Sequence, residues 1–187
     1  MPTISPKRWP NAVKLLLPTL ALFTLGLLAP SGALAGGGGI SSDGSTTPTT
    51  PGSKARLVNG QAVAPADAPK RVQQVIAAAN KIEDMPYKYG GGHGDWKDNG
   101  YDCSGAVSYA LHGGKLLDTP LDSTGLGRYG ERKKGQWITI YGASSHAYMV
   151  VAGLRFDTSM TPGDGPGWSK SMRSTPESYK VRHPKGL

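Results

Sequence analysis

The sequence predicts an α+β domain, with N-terminal helices packed on one face of an antiparallel β-sheet. Three observations lead there. Apolar residues recur at helical spacing early in the domain, Val72, Val75, Ile76, Ala79 and Ile82 forming the clearest set. From Trp137 onward the period changes to two, in successive runs separated by turn residues. Glycine (27) and proline (15) are abundant and charged residues make up only 18%, a balance that suits a loop-rich mixed domain better than a helical bundle. Helices followed by a meander of strands imply two layers sharing one core.

In chain order, residues 1–35 carry the marks of a secretory signal peptide. Lys7, Arg8 and Lys14 give a positive start, and Leu15 to Ala29 is an apolar run broken only by Pro18, Thr19, Thr24 and Gly26. Ala33-Leu34-Ala35 then supplies the small-x-small pattern that signal peptidase accepts. A run of about 15 residues is short of the ~20 that a helix needs to cross the hydrocarbon core. Cleavage is therefore expected after Ala35, leaving no stable membrane anchor and a secreted, periplasmic or cell-envelope protein. Residues 36–67 open with four glycines and continue in Ser, Thr and Pro. Such a composition buries too little apolar surface to offset its ordering entropy, so a flexible linker is expected.

The folded domain is expected over 68–187. Pro69 opens a helix that runs through Lys81 and stops by Pro86. A glycine-rich stretch, Gly90-Gly91-Gly92-His93-Gly94, leads to a second helix over about Ser104–His112, with Asp102 or Cys103 near its N-cap and Gly113-Gly114 as its stop. An irregular segment fills 115–135. Trp137–Tyr141, His146–Ala152 and Leu154–Thr158 read as antiparallel strands, and a last strand is expected around Tyr179–His183.

The formal net charge is +8, and residues 1–35 hold three bases and no acid, so the mature chain carries +8 − 3 = +5. The basic residues are scattered apart from Arg132-Lys133-Lys134. An exported chain of this kind suits the anionic polymers of an envelope, and no nucleic-acid partner is expected. The histidines lack metal-ligand spacing, a second cysteine is missing, and Gly90–Gly94 lacks the Gly-Lys-Ser/Thr ending of a phosphate loop. No metal or cofactor is expected. Trp96, Trp137 and Trp168 are candidates for lining a glycan or peptide groove, but tryptophans this scattered are more often core and rim residues.

Oxidising compartments favour paired cysteines, yet this chain has one, Cys103. It is a buried filler, an intermolecular bridge or a reactive thiol. Its place at the start of a helix favours the last, because unpaired N–H groups and the helix dipole stabilise a thiolate. Asp102 opposes that effect unless its carboxylate caps the helix. Gly105 reads as open space through which a substrate reaches the sulfur.

A thiol nucleophile needs a base, and the base a partner that orients it. His93, His112 and His183 read as structural or exposed. His146 starts a strand after Gly142-Ala143-Ser144-Ser145. If Ala152-Gly153 forms a two-residue turn, Val151 pairs with Leu154 and Tyr148 with Asp157, so His146, Tyr148 and Asp157 share a face. His146 and Asp157 then become diagonal neighbours. Arg155 shares that face and would repel an imidazolium.

Pro86-Tyr87-Lys88-Tyr89-Gly90-Gly91, Asp102-Cys103-Ser104-Gly105 and His146-Ala147-Tyr148-Met149-Val150, in this order, resemble the NlpC family of papain-like bacterial cell-wall peptidases. The resemblance spans roughly Val72 to Thr158. It implies a papain-like fold with Cys103 as nucleophile, His146 as base, Asp157 as orienting residue and Tyr87 as a contributor to the oxyanion site. It further implies hydrolysis of amide bonds in peptidoglycan stem peptides, often between D-γ-glutamyl and a diamino acid, with peptidoglycan or its fragments as partner. Two features depart from the family pattern. The third residue is often histidine there, and a proline-glycine-aspartate-leucine start to the preceding strand is replaced by Lys134-Gly135-Gln136-Trp137. Two other readings stand beside this one. The chain is then a wall-binding module that does not use its thiol, or a secreted, toxin-like cysteine hydrolase or acyltransferase acting on a non-wall amide. The sequence does not specify an inhibitor protein.

Overall fold

A computed structural model describes residues 48–159, 165–174 and 178–187. The expected signal peptide, residues 1–35, lies outside the described residues. Among those described, no helix is long and apolar enough to cross a membrane.

The architecture is α+β, as expected. Strands β1 (Thr49–Thr50), β2 (Arg56–Val58) and β3 (Gln61–Pro65) precede helices α1 (Lys70–Lys81) and α2 (Cys103–Gly113). A short helix α3 (Ser123–Leu126) and strands β4 (Glu131–Arg132), β5 (Ile138–Gly142), β6 (Ala147–Val151), β7 (Leu154–Asp157), β8 (Gly167–Ser169) and β9 (Lys180–His183) follow. The main sheet has the order β4-β9-β5-β6-β7-β8 and is antiparallel throughout.

The two helices form as their sequences dictate. Along α1, Val72, Val75, Ile76 and Ala79 recur on one stripe, and all are buried. The helix ends at Lys81, with Ile82 as C-cap, before Pro86 is reached. In α2, Ala106, Val107, Ala110 and Leu111 are buried and pack on α1, β6 and β7. They meet Ile138, Ile140, Met149, Val151 and Phe156 of the sheet in one core. Burying a side chain of this size stabilises the fold by roughly 1.5–3 kcal/mol, so a dozen of them set a large part of the driving force.

Residues 36–47 of the expected linker lie outside the described residues, and its remainder requires correction, because three short strands occupy much of Thr49 to Pro65. β1 pairs parallel to β3, and β3 pairs antiparallel to β2. Ala62 and Ala64 alternate into the core, and Leu57 packs against it. Asn59 and Gly60 both take positive φ, 50° and 86°, the backbone that a two-residue hairpin between right-twisted strands requires. The Asn80 side chain on α1 accepts from the Ala62 N–H and donates to its carbonyl, at 3.1 and 2.8 Å, fixing this sheet to the helix layer.

At the second hairpin, Ala152 and Gly153 also take positive φ, 47° and 87°, and Val151 pairs with Leu154 as expected. β6 therefore alternates. Ala147, Met149 and Val151 enter the core, while Tyr148 turns to the other side, stacked on Tyr141 at 4.5 Å and edge-on to Tyr179 at 5.4 Å. The expected strand limits differ from the observed ones by a residue at several ends. His146, for instance, immediately precedes β6.

Candidate active site

Cys103 is the first residue of α2. Asp102 is its N-cap, in extended backbone, and accepts from the Gly105 N–H at 2.7 Å through Oδ1. The same carboxylate accepts from the Ser104 hydroxyl at 3.0 Å and the Gly90 N–H at 3.1 Å, and it lies 3.1 Å from His93 Nε2. Asp102 is thus occupied with capping, the condition under which it opposes the neighbouring thiolate least.

The expected role of Gly105 requires correction. A methyl group there would collide with the carbonyl of Gly91, so Gly105 marks a close backbone approach between α2 and the glycine-rich loop and does not open a path to the sulfur. That contact sets Gly90, Gly91 and the adjacent Tyr87-Lys88-Tyr89 against the start of α2. An isolated parallel bridge between Tyr87 and Tyr101 reinforces it.

His146 and Asp157 are brought together as their register requires, with Nε2 2.9 Å from Oδ1. The Asp157 side chain is wholly buried and that of His146 is 17% exposed. With Nε2 donating to the carboxylate, Nδ1 is left to face the thiol. Burial opposes the charged form of each group here, and the partners overcome it. For Cys103, burial pushes the thiol up, but hydrogen bonds from His146 and the Ala147 N–H bring it below its ordinary value. For His146, burial pushes the imidazole down, while Asp157 and then Cys103 raise it to about 9. Asp157 resists ionisation through burial, yet its bonds to His146 and Arg173 lower it to about 2. These shifts all favour a thiolate–imidazolium pair backed by a carboxylate.

Arg173 is a residue of the candidate site that sequence reasoning missed. Its Nη1 donates to Asp157 Oδ2 and Ser159 Oγ, each at 3.1 Å, and its guanidinium lies 5.7 Å from the centre of the Tyr148 ring. Nη1 also approaches His146 Nε2 at 3.1 Å, where two donors face each other. Arg155 Nη1 stands 3.7 Å from Asp157 Oδ2. His146 and then Arg173 thus favour the charged form of the buried carboxylate, with the Arg155 guanidinium beside it. No spacing or motif in the sequence flags a lone arginine beyond β8; only the folded sheet brings it to Asp157.

The surface in front of the sulfur is a cleft of about 570 Å³ lined by Tyr87, Tyr89, His93 and Cys103 on one side, with Asp122, Ser123, Thr124, Ser144 and Ser145 completing it. Segment 115–135, expected to be irregular, therefore supplies a wall through Asp122 and α3. Of the four predicted residues, Tyr87 and Cys103 line this cleft. His146 and Asp157 lie outside its lining, although Ser144 and Ser145 precede His146 directly. Tyr87 is half exposed, and burial, then the charges of Cys103 and Asp102, push its phenol up, so the hydroxyl stays a donor. A larger cavity of about 590 Å³ between the β2–β3 hairpin and α1 contains none of the four.

The remaining histidines and tryptophans have structural partners. His112 Nδ1 lies 2.8 Å from the Leu117 carbonyl, with its ring stacked on Trp96, and His183 Nδ1 lies 3.0 Å from the Lys133 carbonyl. Trp137 and Trp168 are buried. Among the described residues, no group of three His, Cys, Asp or Glu is placed to hold a metal ion.

No family model matches the chain, and no curated protein does. Solved structures similar to it include NlpC/P60 proteins. The P60 domain of an antigen from M. avium subspecies paratuberculosis is 20% identical, covers 62% of this chain and 96% of its own, and has a TM-score of 0.48. The peptidoglycan hydrolase RipB from Mycobacterium tuberculosis is 21% identical over 62% of this chain and 68% of its own, at a TM-score of 0.47. An NlpC/P60 family protein from Bacillus cereus is 17% identical over 60% of this chain and 40% of its own, also at 0.47. At these identities the likeness is one of shape, and roles are assigned from this chain's own residues.

Proposed function

We propose that this chain is a cysteine peptidase that hydrolyses amide bonds in peptidoglycan stem peptides, exported after removal of residues 1–35. The observation that carries the chemistry is the His146–Asp157 bond of 2.9 Å, with the charged imidazole hydrogen-bonded to a thiol at a helix N-terminus. The substrate class rests on the three ordered motifs around Tyr87, Cys103 and His146, and the basic mature chain is compatible with an anionic wall.

In this reading the Cys103 thiolate attacks the amide carbonyl carbon, forming an S–C bond and an oxyanion. The Tyr87 hydroxyl and the Cys103 backbone N–H donate to that oxygen. His146 gives its Nδ1 proton to the leaving nitrogen as the C–N bond breaks, leaving an acyl thioester and a neutral imidazole. Water then attacks the thioester while His146 takes its proton. The S–C bond breaks, the acid is released and the thiolate–imidazolium pair is restored. Asp157 holds the imidazole in one tautomer and stabilises its cation throughout.

The test is incubation of the protein and its Cys103→Ala variant with purified peptidoglycan, with released fragments identified by mass spectrometry. Peptide fragments from the unmodified protein alone are expected. Indistinguishable behaviour of the two proteins would favour a binding module that leaves its thiol unused.

A further inference from the structure

Beside the catalytic cleft lies a second pocket, of about 410 Å³, that shares Thr124 and Ser144 with it. Three cations reach this pocket from two parts of the chain. Lys180 and Arg182 sit two residues apart on β9 and so project to one side of that strand. Arg128 follows Gly127, whose backbone packs so closely on Gly142 of β5 that a side chain at Gly142 would collide with it. Since Gly142 pairs with Lys180 across the β5–β9 ladder, this contact sets Arg128 beside the two β9 cations. Arg182 Nε donates to the Gly127 carbonyl at 2.8 Å, which anchors its guanidinium at the same junction. The remaining polar lining consists of the Thr124, Ser144 and Ser178 hydroxyls, and no acidic residue lines the pocket among the described residues. Arg128 and Lys180 are exposed and form no ion pair among the described residues.

We infer that this pocket is a substrate subsite that binds a carboxylate on the residue flanking the scissile amide. The inference rests on the peptidase reading above and deepens it. Three cations interleaved with hydroxyl donors form a site for a compact oxyanion, and the shared Thr124 and Ser144 wall makes that site continuous with the cleft in front of Cys103. A stem peptide whose diamino acid is dicarboxylic carries such a carboxylate, whereas one built on lysine does not. Neutralising that group by amidation removes the interaction while leaving the length and shape of the peptide almost unchanged.

The experiment uses the Cys103→Ala protein, which keeps the pocket and cannot turn the ligand over. Its affinity is measured by calorimetry for a stem tetrapeptide whose diamino acid carries a free carboxylate and for the same peptide amidated there. The free acid is expected to bind about tenfold tighter, a charge-assisted contact at a partly exposed site. Adding Arg128→Gln and Lys180→Gln, both at exposed positions, is expected to bring the ratio near one without moving the thermal midpoint. Equal affinity for the two peptides, no binding of either, or a preference that survives the double substitution would overturn the subsite. The reaction itself is judged separately. Cleavage of both peptides by the unmodified protein with no preference upholds the peptidase and removes the subsite. Discrimination by the inactive variant without cleavage by the unmodified protein does the reverse.

Discussion

Among the described residues, two histidine–aspartate pairs have almost the same geometry, His93–Asp102 at 3.1 Å and His146–Asp157 at 2.9 Å, and their surroundings differ. Asp102 spends its oxygens on local donors, the N–H groups of Gly90 and Gly105 and the Ser104 hydroxyl, and so pins a loop to a helix. Asp157 is wholly buried and faces guanidinium groups from Arg155 and Arg173, and the only imidazole it holds is the one that meets the thiol. Distance between the partners therefore does not distinguish the pair that pins a loop from the pair proposed to act in the reaction. Asp157 too accepts from a backbone N–H, that of Ser159 at 3.2 Å, so what distinguishes the two is that only Asp157 also faces guanidinium groups beside a candidate nucleophile.

The largest expected effect separates the two histidines. His146→Ala is expected to lower kcat/KM on a stem peptide by about 10³–10⁴-fold, the range for losing a general acid–base, while His93→Ala costs less than about tenfold. Comparable losses at both positions would erase the distinction.

The aspartates should show a crossed pattern. Asp157→Asn is expected to lower kcat/KM by about 10²-fold or more, because the imidazole loses its orienting charge. Asp102→Asn should chiefly reduce stability, by about 1–2 kcal/mol, through loss of the cap and its bonded network. Denaturant melts and steady-state kinetics on both variants measure the two effects together.

This comparison was partly legible in the sequence. The 3.6-residue period of Val72 to Ile82 announced α1, and the Ala152-Gly153 turn was enough to derive the register that joins His146 to Asp157, because alternation in a hairpin is determined by local geometry. Strands β1 to β3 were hidden by composition. A Thr-Pro-Gly-Ser-rich stretch reads as linker, and the Asn59-Gly60 hairpin signal within it is flanked by strands of only three and five residues. The order β4-β9-β5 and the contact of Arg173 with Asp157 depend on long-range pairing, which no local pattern records. Gly105 was misread because its neighbour, Gly91, is distant in sequence and adjacent only in the fold.

The reactive pair should also leave a pH signature. His146 is raised from 6.5 to about 9, so its stabilising contribution is complete below its ordinary value and is lost as pH rises through 9. Asp157 is lowered from 3.8 to about 2, so its contribution is present above 3.8 and is lost as pH falls toward 2. The thermal midpoint is expected to fall between pH 6.5 and 9 in the unmodified protein, and this decline should flatten in His146→Ala. The kcat/KM profile should show an alkaline limb near 9, where the imidazolium is lost.

Arg173→Gln carries the smallest effect, a loss of about three- to tenfold in kcat/KM, since Arg155 remains near the carboxylate. Its sharper mark is in the profile. Removing a cation 3.1 Å from His146 Nε2 favours the imidazolium, so the alkaline limb moves to higher pH. A limb that stays in place or moves down would show that Arg173 acts only through packing.

The ion pair itself is open to direct measurement, because Cys103 is the sole cysteine and every thiolate signal belongs to it. Ultraviolet absorbance of the thiolate, with iodoacetamide alkylation rates, is followed across pH in the unmodified protein and in His146→Ala. The account predicts that Cys103 titrates below the ordinary thiol range of about 8.5 in the first and returns to or above it in the second. An ordinary titration in both would mean that His146 and Cys103 do not form a pair, and the catalytic assignment would fall.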